Sequence, residues 1–166
     1  MRRFGWVIGL ALLCGLGGAA RAQYSPDMDL SRYWDVRMGF FVPERGISRE
    51  KGGDIWFTLG AERRIYEAER WTGTVSVDYY GAGGIYNIPI TLNARGTTHR
   101  LRYGAGAGVG FGHSVGRGTT SFSYNLMLGY VLREGPNPVT ADVRYLGTGE
   151  NAGQLNGWAF TVGYSY

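Results

Sequence analysis

Trp158-Ala159-Phe160-Thr161-Val162-Gly163-Tyr164-Ser165-Tyr166 alternates without a miss. Successive side chains of a strand point to opposite faces, so Trp158, Phe160, Val162, Tyr164 and Tyr166 share one face. Ala159, Thr161, Gly163 and Ser165 share the other. The same division recurs upstream, with bulky apolar residues on one face and Gly, Ser, Thr, Asn, Asp or Arg on the other. An ordinary β-sandwich needs its bulk inside. A barrel with an apolar outer face and a polar interior needs the reverse, and that is the pattern of a barrel in lipid.

Working outward from this stretch, the alternation predicts eight strands: Tyr33 to Val42, Asp54 to Arg64, Arg70 to Tyr80, Ile85 to Arg95, Arg100 to Gly112, Thr119 to Arg133, Pro138 to Leu146 and Trp158 to Tyr166. The fifth is the cleanest, with Leu101, Tyr103, Ala105, Ala107, Val109 and Phe111 against Arg102 and five glycines. Predicted connections are a charged loop from Pro43 to Gly53, a tight turn from Gly81 to Gly84, a turn from Gly96 to His99 and a polar loop from Gly147 to Asn156. An even strand number with both termini at one end is the closure rule of single-chain outer-membrane barrels, and eight is the smallest of them. The fold predicted is all-β: an eight-stranded antiparallel up-and-down transmembrane β-barrel. Pro89 is the awkward residue, because mid-strand it removes a ladder donor, and a bulge or a wet inner wall is expected there. Trp34, Trp71, Tyr103, Tyr130 and Trp158 fall toward segment ends, where amphipathic rings form the membrane-interface belts.

Residues 1–22 read as a cleavable signal peptide: Arg2 and Arg3, an apolar run from Phe4 to Gly18, and the small-x-small site Ala20-Arg21-Ala22. Cys14 follows the bulky Leu13, which does not suit lipoprotein processing, so it counts as part of the leader. Residues 23–32, with Pro26, Asp27 and Asp29, form an irregular periplasmic lead-in, and 33–166 the barrel. The full chain carries 17 Lys+Arg against 13 Asp+Glu, but Arg2, Arg3 and Arg21 leave with the leader. The remainder is nearly neutral, and the basic whole-chain balance is no sign of nucleic acid. The only cysteine leaves too, so no disulfide is available.

The chain resembles the small outer-membrane β-barrel superfamily that includes the transmembrane domain of OmpA and the OmpX-like proteins. The resemblance covers nearly all of Tyr33 to Tyr166. It is carried by Ile88-Pro89-Ile90-Thr91-Leu92-Asn93, by the Gly104 to Phe111 strand and by the closing Val162-Gly163-Tyr164-Ser165-Tyr166. It implies location in the cell outer membrane after secretory export. The implied partners are outer-membrane lipids, periplasmic chaperones and the outer-membrane barrel-assembly machinery, and a monomer is expected. In that family the final aromatic belongs to the assembly signal, here Tyr164 and Tyr166, where Tyr166 replaces the usual Phe.

With the bulky face outside, the inner wall carries Asp35, Glu62, Asp78 and Asp142 with Arg37, Arg64, Arg95, Arg100, Arg102, Arg133 and Arg144. Charges inside a narrow barrel must pair or reach water. Eight strands leave an interior that side chains can fill. A plugging salt-bridge network of Asp35, Arg37, Glu62, Arg64, Asp78, Arg102, Asp142 and Arg144 is therefore expected, in a non-enzymatic structural or surface-interaction protein. The arginine excess keeps a narrow anion or small-solute pore as an alternative. Lipid A deacylases and acyltransferases also use eight-stranded barrels, so His113 and Ser114 are the candidate hydrolase pair. The deacylase pattern His-x-Ser-Asn is broken in His113-Ser114-Val115-Gly116, and no third group orients the histidine. No metal site or cofactor is expected: the histidines are two and distant, the carboxylates scattered, and the glycine run lacks a P-loop ending.

Overall fold

The alternation is realised as strands β1 (Trp34–Pro43), β2 (Trp56–Glu67), β3 (Thr72–Ala82), β4 (Ile85–Thr98), β5 (Leu101–Ser114), β6 (Arg117–Arg133), β7 (Val139–Thr148) and β8 (Gly157–Ser165). The computed structural model of the chain describes residues 34–114, 117–149 and 153–166. The expected leader (1–22), the lead-in (23–32) and Tyr33 lie outside the described residues. The strands pair antiparallel in chain order and β8 returns to β1, closing an up-and-down barrel. Trp34 and Tyr166 exchange backbone hydrogen bonds at the seam. That end, with both strand termini, is the terminal end; the opposite one is the loop end.

The strands keep the predicted inside and outside except at the end of β6, where the register shifts. Leu92 is 62% exposed, Phe122 59% and Met38 58%, while Thr58, Ser76, Asn93 and Asn125 are buried inside. No helix among the described residues is long and apolar enough to cross a membrane, which says nothing about strands.

Several connections differ from expectation. Between Pro43 and Gly53 the chain forms a short helix, α1 (Gly46–Gly52), instead of an open loop. Arg49 and Lys51 in its last turn suit the exposed carbonyls, and Gly53 ends it at φ 83. The turn between β3 and β4 shortens to Gly83 and Gly84, both at positive φ, as a two-residue hairpin turn requires. The β4–β5 turn moves to His99 and Arg100, because Gly96 is a strand residue paired with Tyr103 and covered by its ring. Gly147 is likewise taken into β7, under Tyr124. β2 runs on to Glu67 past an irregularity between Arg64 and Tyr66.

Pro89 sits in β4 without a bulge. The β4–β5 ladder runs unbroken through Pro89 and Gly110. On the other side, β3 and β4 keep one register from Val77–Ile90 to Tyr80–Asn87, with the two intervening pairs missing. The lost donor opens the ladder locally and shifts nothing.

Candidate functional site

The interior has three levels. At the loop end, Phe41, Trp56, Tyr80, Ile85, Leu146 and Ala159 turn inward from the strand ends and meet Leu155. Phe41 stacks on Tyr80 with ring centroids 4.4 Å apart. Leu155 enters from the β7–β8 connection and is 1% exposed. The Tyr80 hydroxyl donates to its carbonyl at 2.9 Å, and Asn87 Nδ2 donates to the Tyr80 hydroxyl at 2.8 Å. α1 is tied to the same connection by Ser48 Oγ, which donates to the Gln154 carbonyl at 2.6 Å.

Below this apolar plug lie the charges. Arg37 Nε and Nη2 each donate to Asp78 at 2.9 Å, and its Nη1 donates to Glu62 at 2.7 Å. Arg144 Nη1 reaches the same Asp78 at 2.9 Å. Arg95 grips Glu62 with Nε at 2.8 Å and Nη2 at 2.9 Å, and Thr74 also donates to Glu62. Arg102 spans Asp35 at 3.0 Å and Asp142 at 3.4 Å. Most of these bonds join strands that are not neighbours: β1 to β3, β3 to β7, β2 to β4, and β5 to both β1 and β7. Planar guanidinium forks suit this work, since each can hold two oxygens.

A polar layer fills the remaining space. Asn125 Nδ2 donates to Asn93 at 2.8 Å, and Ser76 and Thr91 share a hydrogen bond of 2.9 Å. The β5 glycines make room for it. A Cβ at Gly104 would lie 2.7 Å from Arg95 Cδ, and one at Gly106 would strike Asn93 and Asn125.

The third level is a cavity of about 210 Å³ at the terminal end, bordered by Trp34, Asp35, Arg64, Arg102, Thr140 and Ser165.

Seven of the eight expected network residues meet through these bonds. Arg64 does not join them: it sits half-buried at the mouth and bonds Glu67 at 3.4 Å. Arg95 takes the inner position on Glu62 instead. Arg100 and Arg133 are exposed at the terminal end, Arg100 on Glu134 at 2.9 Å. A register shift between Val131 and Arg133 turns the latter off the inner wall. Four arginines thus face four carboxylates inside, and the arginine excess that supported an anion path lies at the mouth. The apolar plug is a finding of the structure; by strand parity Phe41 and Trp56 fall on the inner face.

His113 and Ser114 are neighbours within β5 and so point to opposite faces. His113 stacks outside on Tyr86, with ring centroids 6.3 Å apart, and Ser114 is buried. A serine and its base cannot meet in that arrangement. Trp71, Tyr103, Tyr130, Trp158, Tyr164 and Tyr166 are exposed on the outer face. Trp34 is half-buried there, carrying Arg63 over its ring at 5.5 Å. Trp158 marks the loop end and the others the terminal end. Among the described residues no three His, Cys, Asp or Glu side chains gather as a metal site needs. Comparison with protein-family models and with curated proteins returns no match.

Proposed function

We propose that the chain is a non-enzymatic outer-membrane barrel with a structural or surface-interaction role, its lumen closed by ion pairs and its outer face solvated by lipid. The observation that carries this reading is the distribution of polarity. Large apolar side chains cover the outside in a continuous band, including Phe57, Leu92, Leu126, Leu128 and Val162, while Arg37, Glu62, Asp78, Arg95, Asp142 and Arg144 are buried inside. In water such a band is far larger than the few hundred Å² of apolar patch that soluble monomers expose. In a bilayer it is the favourable surface, and the closed ladder leaves no strand edge to the hydrocarbon.

The aromatic residues at the two ends fit interfacial belts. Tyr164 and Tyr166, exposed on the last strand, are the residues we assign to recognition by the barrel-assembly machinery, after chaperoned passage from a leader cleaved behind Ala22. A pore finds little support where four arginines and four acids bond one another beneath an apolar plug. A hydrolase centred on His113 and Ser114 finds none in their opposed directions.

Expression with fractionation tests the location. The chain should sediment with outer membranes, migrate faster on gels when unboiled, and begin at Gln23. Recovery as a detergent-free soluble monomer would reject the reading.

A further inference from the structure

We propose that Arg63, held over the ring of Trp34, is a seat for the phosphate of an anionic phospholipid in the leaflet at the terminal end. The inference rests on the lipid-solvated outer face proposed above and names a head group that meets it. The outward residues of β2 run Phe57, Leu59 and Ala61 from the loop end, and then Arg63. Among the described strand residues that face outward, only Arg63 and Arg133 are of Arg, Lys, Asp or Glu type. (Glu67 pairs with Thr72 of the inner wall and bonds Arg64 at the mouth.) Both arginines stand exposed at the terminal end, and neither has a carboxylate partner among the described residues.

The position of Arg63 decides what can meet it. It pairs with Trp34 on β1 and Val75 on β3, and its guanidinium carbon lies 5.5 Å from the Trp34 ring centroid. A cation over an indole face is attracted and restrained by the ring. That contact occupies none of the five guanidinium N–H donors. No hydrogen bond to a described residue occupies them either. Aromatic rings flank the site. Tyr66 and Trp71 lie on one side with centroids 5.0 Å apart, and Tyr164 and Tyr166 lie beyond Trp34 with centroids 6.4 Å apart. Such rings sit at the depth where head groups meet hydrocarbon. A guanidinium at that depth needs an anion, and its planar fork fits two oxygens of a phosphate.

The surroundings select a lipid over a free ion. Inward of Arg63 the wall is Ala61 with Val36 and Val77 beside it, an apolar surface on which acyl chains can lie. A free phosphate would use the guanidinium and none of that wall, against screening by salt. A zwitterionic head group brings its own cation, and no outward Asp or Glu side chain of a described strand is there to receive it. A head group of net negative charge brings none. The loop-end rim offers no counterpart: Tyr79, Tyr86, Tyr145 and Trp158 line its outer face without an outward Arg or Lys among the described strand residues. The seat therefore belongs to the terminal-end leaflet.

The test is a titration of the purified chain, folded in micelles of an uncharged maltoside, with dihexanoylphosphatidylglycerol. The resonances followed are the Arg63 Nε–H and the Trp34 indole N–H. Dihexanoylphosphatidylcholine and inorganic phosphate are run in parallel at equal ionic strength. Both resonances should shift saturably with phosphatidylglycerol, at about one fifth of the phosphatidylcholine midpoint, the factor that one arginine contributes at an anionic surface. Inorganic phosphate should give no saturable shift over that range. Arg63→Gln, read at Trp34, should raise the phosphatidylglycerol midpoint about fivefold and abolish the preference. Equal midpoints for the two lipids, or a preference that survives Arg63→Gln, would overturn the proposal. So would saturation by inorganic phosphate at the lipid midpoint, which would leave a bare anion site. Should Arg63→Gln fail to fold, Trp34→Leu keeps the charge and removes the ring that restrains it; an unchanged midpoint at Arg63 would count against the seat. A barrel that folds in micelles yet shows no preference defeats this proposal alone, whereas recovery without detergent defeats the outer-membrane reading beneath it.

Discussion

Asp78 accepts from Arg37 on one wall and Arg144 on another, and both arginines are as buried as the carboxylate. A buried ion pair gains little net stability over an apolar pair of the same shape, yet removing one partner strands the other in a low dielectric. Asp78→Ala takes the carboxylate from Arg144 and one of two carboxylates from Arg37. It should destabilise the folded barrel by about 3–5 kcal/mol in a denaturant titration in micelles. Glu67→Ala, which breaks the mouth pair with Arg64, should move the midpoint by about 0–1 kcal/mol. Leu128 and Asn125 are three residues apart on β6 and face opposite ways, Leu128 exposed and Asn125 buried. Leu128→Arg should cost about 2–4 kcal/mol in liposomes if it lies near the bilayer midplane, and little in a water-soluble barrel. Asn125→Arg is no permissive control. Asn125 already bonds Thr91, Asn93 and Arg95 in a packed layer, so a larger cation there must displace them, and the same titration should register a loss at both positions.

The elements differ in how far they announce themselves. A strand writes its inner and outer faces into every second residue, so β5 and β8 could be read from Leu101, Tyr103, Ala105 or Trp158, Phe160, Val162 before any pairing was known. Strand ends are harder to read. Gly96 and Gly147 have the appearance of turn residues, and only the cross-strand rings of Tyr103 and Tyr124 explain them as strand. Helix α1 has under two turns, too few for a 3.6-residue apolar period, and its hold on the barrel depends on Gln154, distant in sequence. The charged residues of the lumen were legible as inward-facing, but their partners were not, because most of the bonds cross the barrel and depend on strand stagger. Arg64 and Arg95 show the difference: equal in parity, they are separated by the irregularity in β2 and by height. Leu155 lay within a stretch read as polar loop, and its burial came only with the structure. Leu155→Ala should cost about 2–5 kcal/mol, as deletion of a buried leucine side chain does, and should loosen α1 in hydrogen exchange before it affects β5 or β6.

At the scale of the molecule, the barrel is blocked twice by unlike means. The loop-end block is apolar, built from Leu155, Phe41, Trp56 and Tyr80. The second is ionic, with Arg37, Arg95 and Arg144 crossing the bore to Glu62 and Asp78. An ion entering from the cavity at the terminal end meets Arg95 and Glu62 already bonded to each other, and passage requires parting buried charges and crossing the space beside Asp78, which has no room for a water molecule. We therefore expect no steady conductance from the protein in planar bilayers. The two blocks are independent, so removing one should not open the path. Leu155→Ala combined with Tyr80→Ala hollows the loop end but leaves the ion-paired layer across the bore, and current traces should stay at baseline. Asp78→Ala with Arg144→Ala, in that background, removes one acid and one base, keeps the interior balanced, and clears the contact between β3 and β7. Small, brief openings should then appear. A reproducible conductance in the unaltered protein, or in the plug variant alone, would mean that the ion pairs part readily, and the sealed lumen would give way to the pore alternative.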